Sequence, residues 1–410
     1  MKKIAFITSH FPFDGGEQFI ESEIPFWINS SEISVVLFPV NCKGNKRNTP
    51  DGVLVDNSLS ERLSLYNYIF LLFCAAFSTI FIKEIIWLFK EGKLCYSTLK
   101  RALANVYAVY KAKYKLKKKF KQYQINTAYC YWNDVQAYAS SMLKREGVIQ
   151  KVFTRCHGYD LYEDRHDLGY IPLKRQFKND FDVWFVISKS AKAYLENQFG
   201  VKPNNIQLSR LGVDIPEMYA SCSPAGVINI VTVSYCIFIK RLDKIIDALQ
   251  CFSSKHSDIK VEWNHIGGGE LEAPLKNNAL EKLQGANIKV SFLGTLSNSS
   301  VKDYFSTNDV DIFINTSDSE GVPVSIMEAM SYGVPIIAPD IGGISELIDV
   351  EGCILLPEKP SPQVISNAIY QAFSACKKQV IRESCKNKIY NKFNAAKNFT
   401  NFINIIKKHS

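Results

Sequence analysis

Short apolar runs bounded by turn residues alternate along the chain with stretches whose apolar positions recur every three to four residues. That alternation predicts βαβ units and parallel sheets. In the first half the expected strands are KIAFITSHF, EISVVLFPV, INTAYCYW, KVFTRCHGYD and FDVWFVIS, the first taken as a strand and not a signal sequence. In the second half they are VINIVTVSYC, KVEWNHIGG, IKVSFLGT, VDIFINTS, PIIAPD and CILLP. Between the two series lies RLGVDIPEMYASCSPAG, rich in Pro, Ser and Gly, which reads as a domain boundary. The expected fold class is α/β, with two Rossmann-like doubly wound domains facing a central cleft. The expected boundaries are 1–212 and 213–385, with a C-terminal helix at 386–410 placed so that it can cross back to the first domain.

One segment, about 61–123, departs from the pattern. LSLYNYIFLLFCAAFSTIFI carries no charge and has the length of about 20 residues that spans a bilayer. Downstream, KAKYKLKKKFKQ sets lysines among Tyr, Leu and Phe, the composition of a helix lying on an anionic membrane surface. Three readings stay open: docking on such a surface, which is favoured; a buried helix pair under a solvated lysine face; and a transmembrane span.

Composition narrows the picture only in places. A chain of 410 residues, 47% hydrophobic, can bury a large core. Its 49 Lys and Arg against 40 Asp and Glu leave a net charge of +9, which favours anionic partners. No nucleic-acid-binding motif accompanies that charge. Eleven cysteines without a Cys-x-x-Cys pair or a Cys/His cluster point to neither zinc nor a disulfide framework, and to a reducing compartment.

Candidate chemistry concentrates in SDSEGVPVSIMEAMSYGVP, where Glu320 and Glu328 stand eight positions apart around a Gly-Val-Pro break. The preceding run ends a strand, Gly321 permits close approach of backbone to a ligand, and Pro323 suits the first position of a helix. Glu320 is then expected in a loop at a strand's carboxyl end, where open parallel sheets bind ligands, and Glu328 in the first turns of the helix. A helix start offers N–H groups to an anion, and ionised carboxylates accept from paired hydroxyls. The plain alternative is a helix cap and a solvated glutamate.

The stretch SDSEGVPVSIMEAMSYGVPIIAPDIGGISELI closely resembles the donor-site signature of glycosyltransferase family 4, the Glu-x7-Glu element of retaining enzymes with the GT-B fold. The resemblance implies that Glu328 binds ribose hydroxyls of a nucleotide-sugar and Glu320 the donor sugar. It places the distal phosphate on the backbone of Gly321, Val322, Pro323 and Val324. SYCIFIKRLDKIIDAL resembles the family's diphosphate grip, with Lys240 as the phosphate-binding lysine. The usual partner arginine is replaced by Tyr235, so that either Arg241 supplies the second cation or a different geometry applies. NHIGGGELE resembles the glycine-rich strand end beside the base, with Gly268 in donor binding and His265 read as a core histidine. FPFDGGEQF puts Gly15 and Gly16 where the family joins donor and acceptor sides. TRCHGYDLYEDR puts His157 where the family's histidine approaches the reacting sugar, with Arg155 and Asp160 on the acceptor side. His157, Glu320 and Lys240 are thus the expected catalytic residues. The Asp309-x-Asp311 pair opens a buried strand and carries little weight as a metal site.

The implied function is retaining transfer of a sugar from a nucleotide-diphosphate-sugar to a glycan or lipid-linked acceptor. The flavour of the motifs resembles bacterial assembly of O-antigen, capsule or exopolysaccharide. The nucleotide-sugar is a co-substrate, and no metal or other cofactor is expected. The expected location is cytoplasmic, peripheral on the inner face of the cell membrane, with an anionic membrane surface as partner and no nucleic acid. Two rivals remain: a nucleotide-sugar 2-epimerase of the same fold, and a catalytically silent homologue that keeps the donor pocket.

Overall fold

The computed structural model describes residues 2–17, 19–29 and 32–409. The chain forms two compact units, Met1–Ser209 with Phe399–Ser410, and Arg210–Asn398.

The first unit holds a seven-stranded parallel sheet of β1 (Lys2–Thr8), β2 (Ile33–Pro39), β3 (Leu54–Val55), β4 (Thr127–Cys130), β5 (Lys151–Cys156), β6 (Val183–Val186) and β7 (Ile206–Leu208). Their order is β3-β2-β1-β4-β5-β6-β7. All four residues of β4 and of β6 are buried, as expected of strands covered by helices on both faces. The sequence pattern anticipates five of the seven strands. Two- and three-residue edge strands, β3 and β7, are too short to leave a period.

The second unit holds β8 (Val227–Val233), β9 (Lys260–Ile266), β10 (Ile288–Phe292), β11 (Ile312–Ile314), β12 (Ile336–Pro339) and β13 (Ile354–Leu356), ordered β10-β9-β8-β11-β12-β13 and again all parallel. In each sheet the order reverses beside the first strand, between β1 and β4 and between β8 and β11. Such switch points splay the loops after the two strands apart and open a crevice at their carboxyl ends.

The uncharged run at 63–82 is not one helix. Ser64 and Ser78 each cap a helix through their hydroxyls, giving Leu65–Ala76 and Thr79–Lys90, bent by 47° at the break. Among the described residues no single helix is long and apolar enough to cross a membrane. The hairpin's buried side, including Leu71, Ala75, Ile80, Phe81 and Leu88, shares a core with Ala102, Val106 and Val109 of the long helix Tyr96–Tyr123. Glu84 anchors the hairpin to the unit: it accepts from Leu173 N at 2.8 Å and from Tyr170 Oη and Gln176 Nε2 at 2.5 Å.

The lysine-rich turns of the long helix differ from a free basic face. Buried Lys115 donates to the carbonyls of Leu59 and Glu61, Lys119 pairs with Asp56 at 2.9 Å, and Lys113 and Lys117 hold Glu146 at 2.6 and 2.7 Å. Burial presses the Lys115 ammonium down to about 8.

After Lys392 the chain enters a last helix, Ala395–His409, whose Phe402 packs against Trp27, Tyr129 and Phe185 of the first unit. Lys407 and Lys408 lie in its final turn, where cations suit the helix dipole.

Candidate functional site

In the second unit the loops after β8 and β11 sit side by side at the switch point, and each carries one half of a charged pair. After β8 a single 3₁₀ turn, Phe238–Lys240, leads into the helix Leu242–Lys255. Lys240 Nζ donates to Glu320 Oε1 at 2.7 Å. The same oxygen accepts from Ser317 Oγ at 2.7 Å and Asn315 Nδ2 at 3.2 Å. Glu320 therefore lies in the loop between β11 and the helix Val324–Ser331, and Pro323 occupies the cap just before that helix rather than its first turn. Loop position is enforced from β12: Gly343 N donates to Gly321 O at 2.7 Å, and a Cβ on Gly342 would stand 2.0 Å from Glu320 O.

Glu328 is buried, not solvated, and accepts from Asn298 Nδ2 at 2.7 Å. Burial pushes its carboxyl up, countered by that hydrogen bond and by Lys302. Arg241 is not free to act as a second cation. Its guanidinium grips Asp243 through Nε and Nη2 at 3.0 and 2.8 Å and Asp318 through Nη1 at 3.0 Å, and Lys244 also holds Asp318 at 3.0 Å. The Ser234 hydroxyl, at the end of β8 next to Tyr235, is enclosed without a hydrogen-bond partner among the described residues. Sequence reasoning missed Ser234, Asn298, Asn315 and Ser317. Ser234, Asn315 and Ser317 leave the signal of small polar residues just after a strand, and Asn298 opens a helix.

The glycine-rich end of β9 packs on the loop after β8. Cys236 N donates to Gly268 O at 2.9 Å, and a Cβ on Gly267 would stand 1.8 Å from Ser234 O. Close backbone approach thus accounts for Gly267 without a ligand, while a Cβ on Gly268 would meet Thr295 Oγ1 at 2.7 Å. His265 is a core residue: Nδ1 lies 2.8 Å from Thr232 Oγ1, Nε2 lies 3.2 Å from Cys236 Sγ, and burial presses its pKa down to about 4. Asp311 is equally structural, its oxygens taken by Ser223 N, Ser223 Oγ and Asn229 N at 3.2, 2.5 and 2.8 Å.

In the first unit the loops after β1, β4 and β5 gather a second group. His157 is buried against Trp132 and Tyr131, with ring centroids 4.4 and 4.7 Å apart. Both of its ring nitrogens lack a hydrogen-bond partner among the described residues, and Nδ1 stands 4.0 Å from Asp160 Oδ2. An enclosed imidazole with two unused polar atoms is ready for a ligand hydroxyl. Asp160 instead braces backbone, accepting from His157 N at 2.8 Å and Asn133 N at 2.9 Å. Burial raises its carboxyl, and the surrounding donors and cations His157, Lys174 and Asn133 outweigh that and hold it below the usual range.

Arg155 is turned into the core of its own unit. It is fully buried, its Nη1 2.5 Å from Glu23 Oε2 and its guanidinium 4.1 Å from the centre of the Phe402 ring. The alternation along β5 turns residue 155 to the opposite face from Thr154, beneath the sheet and away from its edge. Gly15 and Gly16, both at positive φ, lie in the loop after β1. The amides of Ser9, His10 and Phe11 in that loop donate at 2.7–2.9 Å to Glu17, which also accepts from Trp132 Nε1. The loop is thus shaped around the chain's own carboxylate.

Asp134, which caps the helix Val135–Arg145 by accepting from Gln136 N at 3.1 Å, lines a small cavity with Thr8, Ser9 and Trp132. Burial lifts its pKa from 3.8 to about 7. A raised acid stabilises the fold below its unfolded value and loses that contribution as pH rises through the folded one. The melting temperature of Asp134→Asn, which keeps the cap, should therefore gain on the parent between about pH 4 and 7. A constant difference across that range in a pH series of melting curves would refute this.

Residues 226–392 match the family model described as glycosyl transferases group 1. Among curated relatives, the O-antigen biosynthesis glycosyltransferase WbnH of Escherichia coli is 26% identical over 216 residues, covering 52% of this chain and 58% of that one. The amylovoran biosynthesis glycosyltransferase AmsK of Erwinia amylovora is 30% identical over 159 residues, 37% of each chain. The chain spans little more than half the length of WbnH and similar curated relatives. Among solved structures, the lipopolysaccharide outer core galactosyltransferase WaaB superposes with a TM-score of 0.69 at 19% identity over the full length of both chains. Anabaena HepE in complex with UDP-glucose does so with 0.65 at 14%, which shows a shared GT-B fold.

Proposed function

We propose, from the premise that residues 226–392 belong to the group 1 glycosyl transferases, that this chain moves a sugar from a nucleotide-diphosphate-sugar to a glycan or lipid-linked acceptor in bacterial surface polysaccharide assembly. The observation that carries the reading is the Lys240–Glu320 contact at the β8/β11 switch point, beside the start of the helix Val324–Ser331. Polysaccharide glycosyltransferases among the relatives and a UDP-glucose complex among the structural neighbours support it.

In this reading the donor diphosphate takes Lys240 from Glu320 and lies against the amides that open the helix. Glu320, released from the lysine, accepts from hydroxyls of the donor sugar, and Glu328 from those of the ribose. As the bond from the anomeric carbon to the phosphate oxygen breaks, charge gathers on the diphosphate, and Lys240 with the helix start stabilises it more than the ground state. The acceptor oxygen bonds to the anomeric carbon on the face the phosphate leaves, its proton passing to the departing phosphate oxygen, so configuration is retained. His157, with two unused nitrogens, offers a hydrogen bond to a sugar hydroxyl. Arg241 is spent on Asp243 and Asp318, and the unpartnered Ser234 hydroxyl takes the place of a second cation beside the diphosphate. The reaction runs without a metal, at the inner face of the cell membrane.

Proton NMR of the reaction with a panel of nucleotide-sugars and a lipid-diphosphate sugar acceptor tests the reading. The expected product is a glycoside with the donor's anomeric configuration. An epimerised nucleotide-sugar, or an inverted glycoside, would overturn it.

A further inference from the structure

The positive charge of this protein is confined to one segment. Residues 61–123 hold 13 Lys and Arg against three Glu, a net +10 beside +9 for the whole chain, so everything else is close to neutral. The same segment carries the largest run of unpartnered apolar surface. Tyr66, Ile69, Phe70 and Phe73 follow the i, i+3, i+4, i+7 spacing of one helix face, and each is more than half exposed. Ile86 and Phe89, 49% and 73% exposed and three positions apart, continue the stripe on the second helix, flanked by exposed Lys83 and Lys90. Both helices bury their other sides in the core they share with the long helix, so both exposed stripes turn away from the body of the unit.

The geometry points to the hairpin Leu65–Lys90, and not the lysine-rich long helix, as the element that docks the protein by shallow insertion of its apolar stripe into an anionic lipid bilayer. This deepens the peripheral location proposed above. The sequence favoured docking through the lysines of 111–121, but Lys113, Lys115, Lys117 and Lys119 are held by carboxylates or carbonyls of their own unit. Each hairpin helix has 12 residues, about 18 Å, against a hydrocarbon core of about 30 Å, so the pair lies in the interface and does not cross it. Tyr and Phe along the stripe are the residues that settle at headgroup level. A second copy of the chain fits the surface poorly, since two such faces would bring like charge against like charge. The rigid Glu84 anchor transmits the orientation of the hairpin to the unit.

The test is flotation of the full chain with phosphatidylcholine vesicles containing about one third phosphatidylglycerol. Wild type is expected to bind, to weaken in about 0.5 M salt, where exposed charge is screened, and still to float in part through its inserted apolar stripe. Phe70→Ser/Phe73→Ser/Phe89→Ser should lose about ten-fold or more of the partition coefficient, because inserted apolar area sets it. Lys83→Gln/Lys90→Gln should lose about five-fold per lysine. On the unaltered protein, vesicles should slow amide hydrogen exchange across 65–90. Complete release by salt with the triple variant bound like wild type, slowed exchange confined to 111–121, or dimers in place of vesicle binding would each overturn the inference. A melting shift with UDP, measured without lipid on all variants, reports separately on the nucleotide-sugar reading.

Discussion

Lys240→Ala is expected to lower the rate constant for sugar transfer by about 10²–10³-fold, some 2.7–4 kcal/mol of transition-state stabilisation. The ammonium is fixed by Glu320 at 2.7 Å before any donor arrives, so it needs little reorganisation to meet the diphosphate. Its effect should fall on kcat more than on KM, because the charge it neutralises grows as the glycosidic bond breaks. Glu320→Gln should lose a comparable factor. It keeps an acceptor for Ser317 and Asn315 yet releases the lysine and weakens acceptance from sugar hydroxyls. Melting curves of both variants separate a folding defect from a catalytic one, since the pair is largely enclosed, its side chains 20% and 11% exposed. A steady-state comparison in which Lys240→Ala retains more than a third of wild-type kcat would remove Lys240 from the chemistry.

Arg155→Ala is expected to cost about 3–5 kcal/mol of stability. The mutation strands Glu23, which is fully buried with the Trp27 indole at 3.1 Å as its one further side-chain donor among the described residues, and opens a gap beneath Phe402. The joint change Glu23→Gln/Arg155→Met should recover most of the loss, because a buried pair gains little over apolar groups of the same volume. Urea titrations of the two variants decide it. A loss below about 1 kcal/mol in Arg155→Ala would show that the pair is solvated.

That pair also marks where the sequence stops being legible. Arg155 stands beside His157 in a motif that reads as one site, yet Arg155 is inside β5 with its side chain on the buried face, His157 lies in the loop beyond the strand's last residue, and Glu23 is 132 residues away. Pairings of that range leave no local signal. The lysine run at 111–121 is only in part a solvated stripe for the same reason: Lys113, Lys115, Lys117 and Lys119 find partners outside the helix, while Lys118 and Lys121 stay exposed. Elements with a strong period are the readable ones. The runs around β1, β4, β8 and β11 stand out because strands buried on both faces are continuously apolar, and the loops that carry Lys240 and Glu320 follow from them. The uncharged run at 63–82 shows the limit of composition, because two serine hydroxyls that cap helices break what hydropathy joins.

Of the second glutamate, sequence conveyed the position but not the setting. Burial tunes Glu328 upward against the opposing pull of the Asn298 hydrogen bond, so its affinity for hydroxyls depends on staying ionised when the nucleotide covers it.

The most direct test of the donor site is a calorimetric and melting-curve titration of the wild-type chain with nucleoside diphosphates and their sugar conjugates, repeated on Lys240→Ala and Glu328→Ala. A nucleotide that fits should stabilise the wild type by about 2.7 kcal/mol at 100 times its dissociation constant, and both variants should lose most of that gain. Wild-type protein that responds to none of the nucleotides, or variants that respond as fully as the parent, would contradict the assignment.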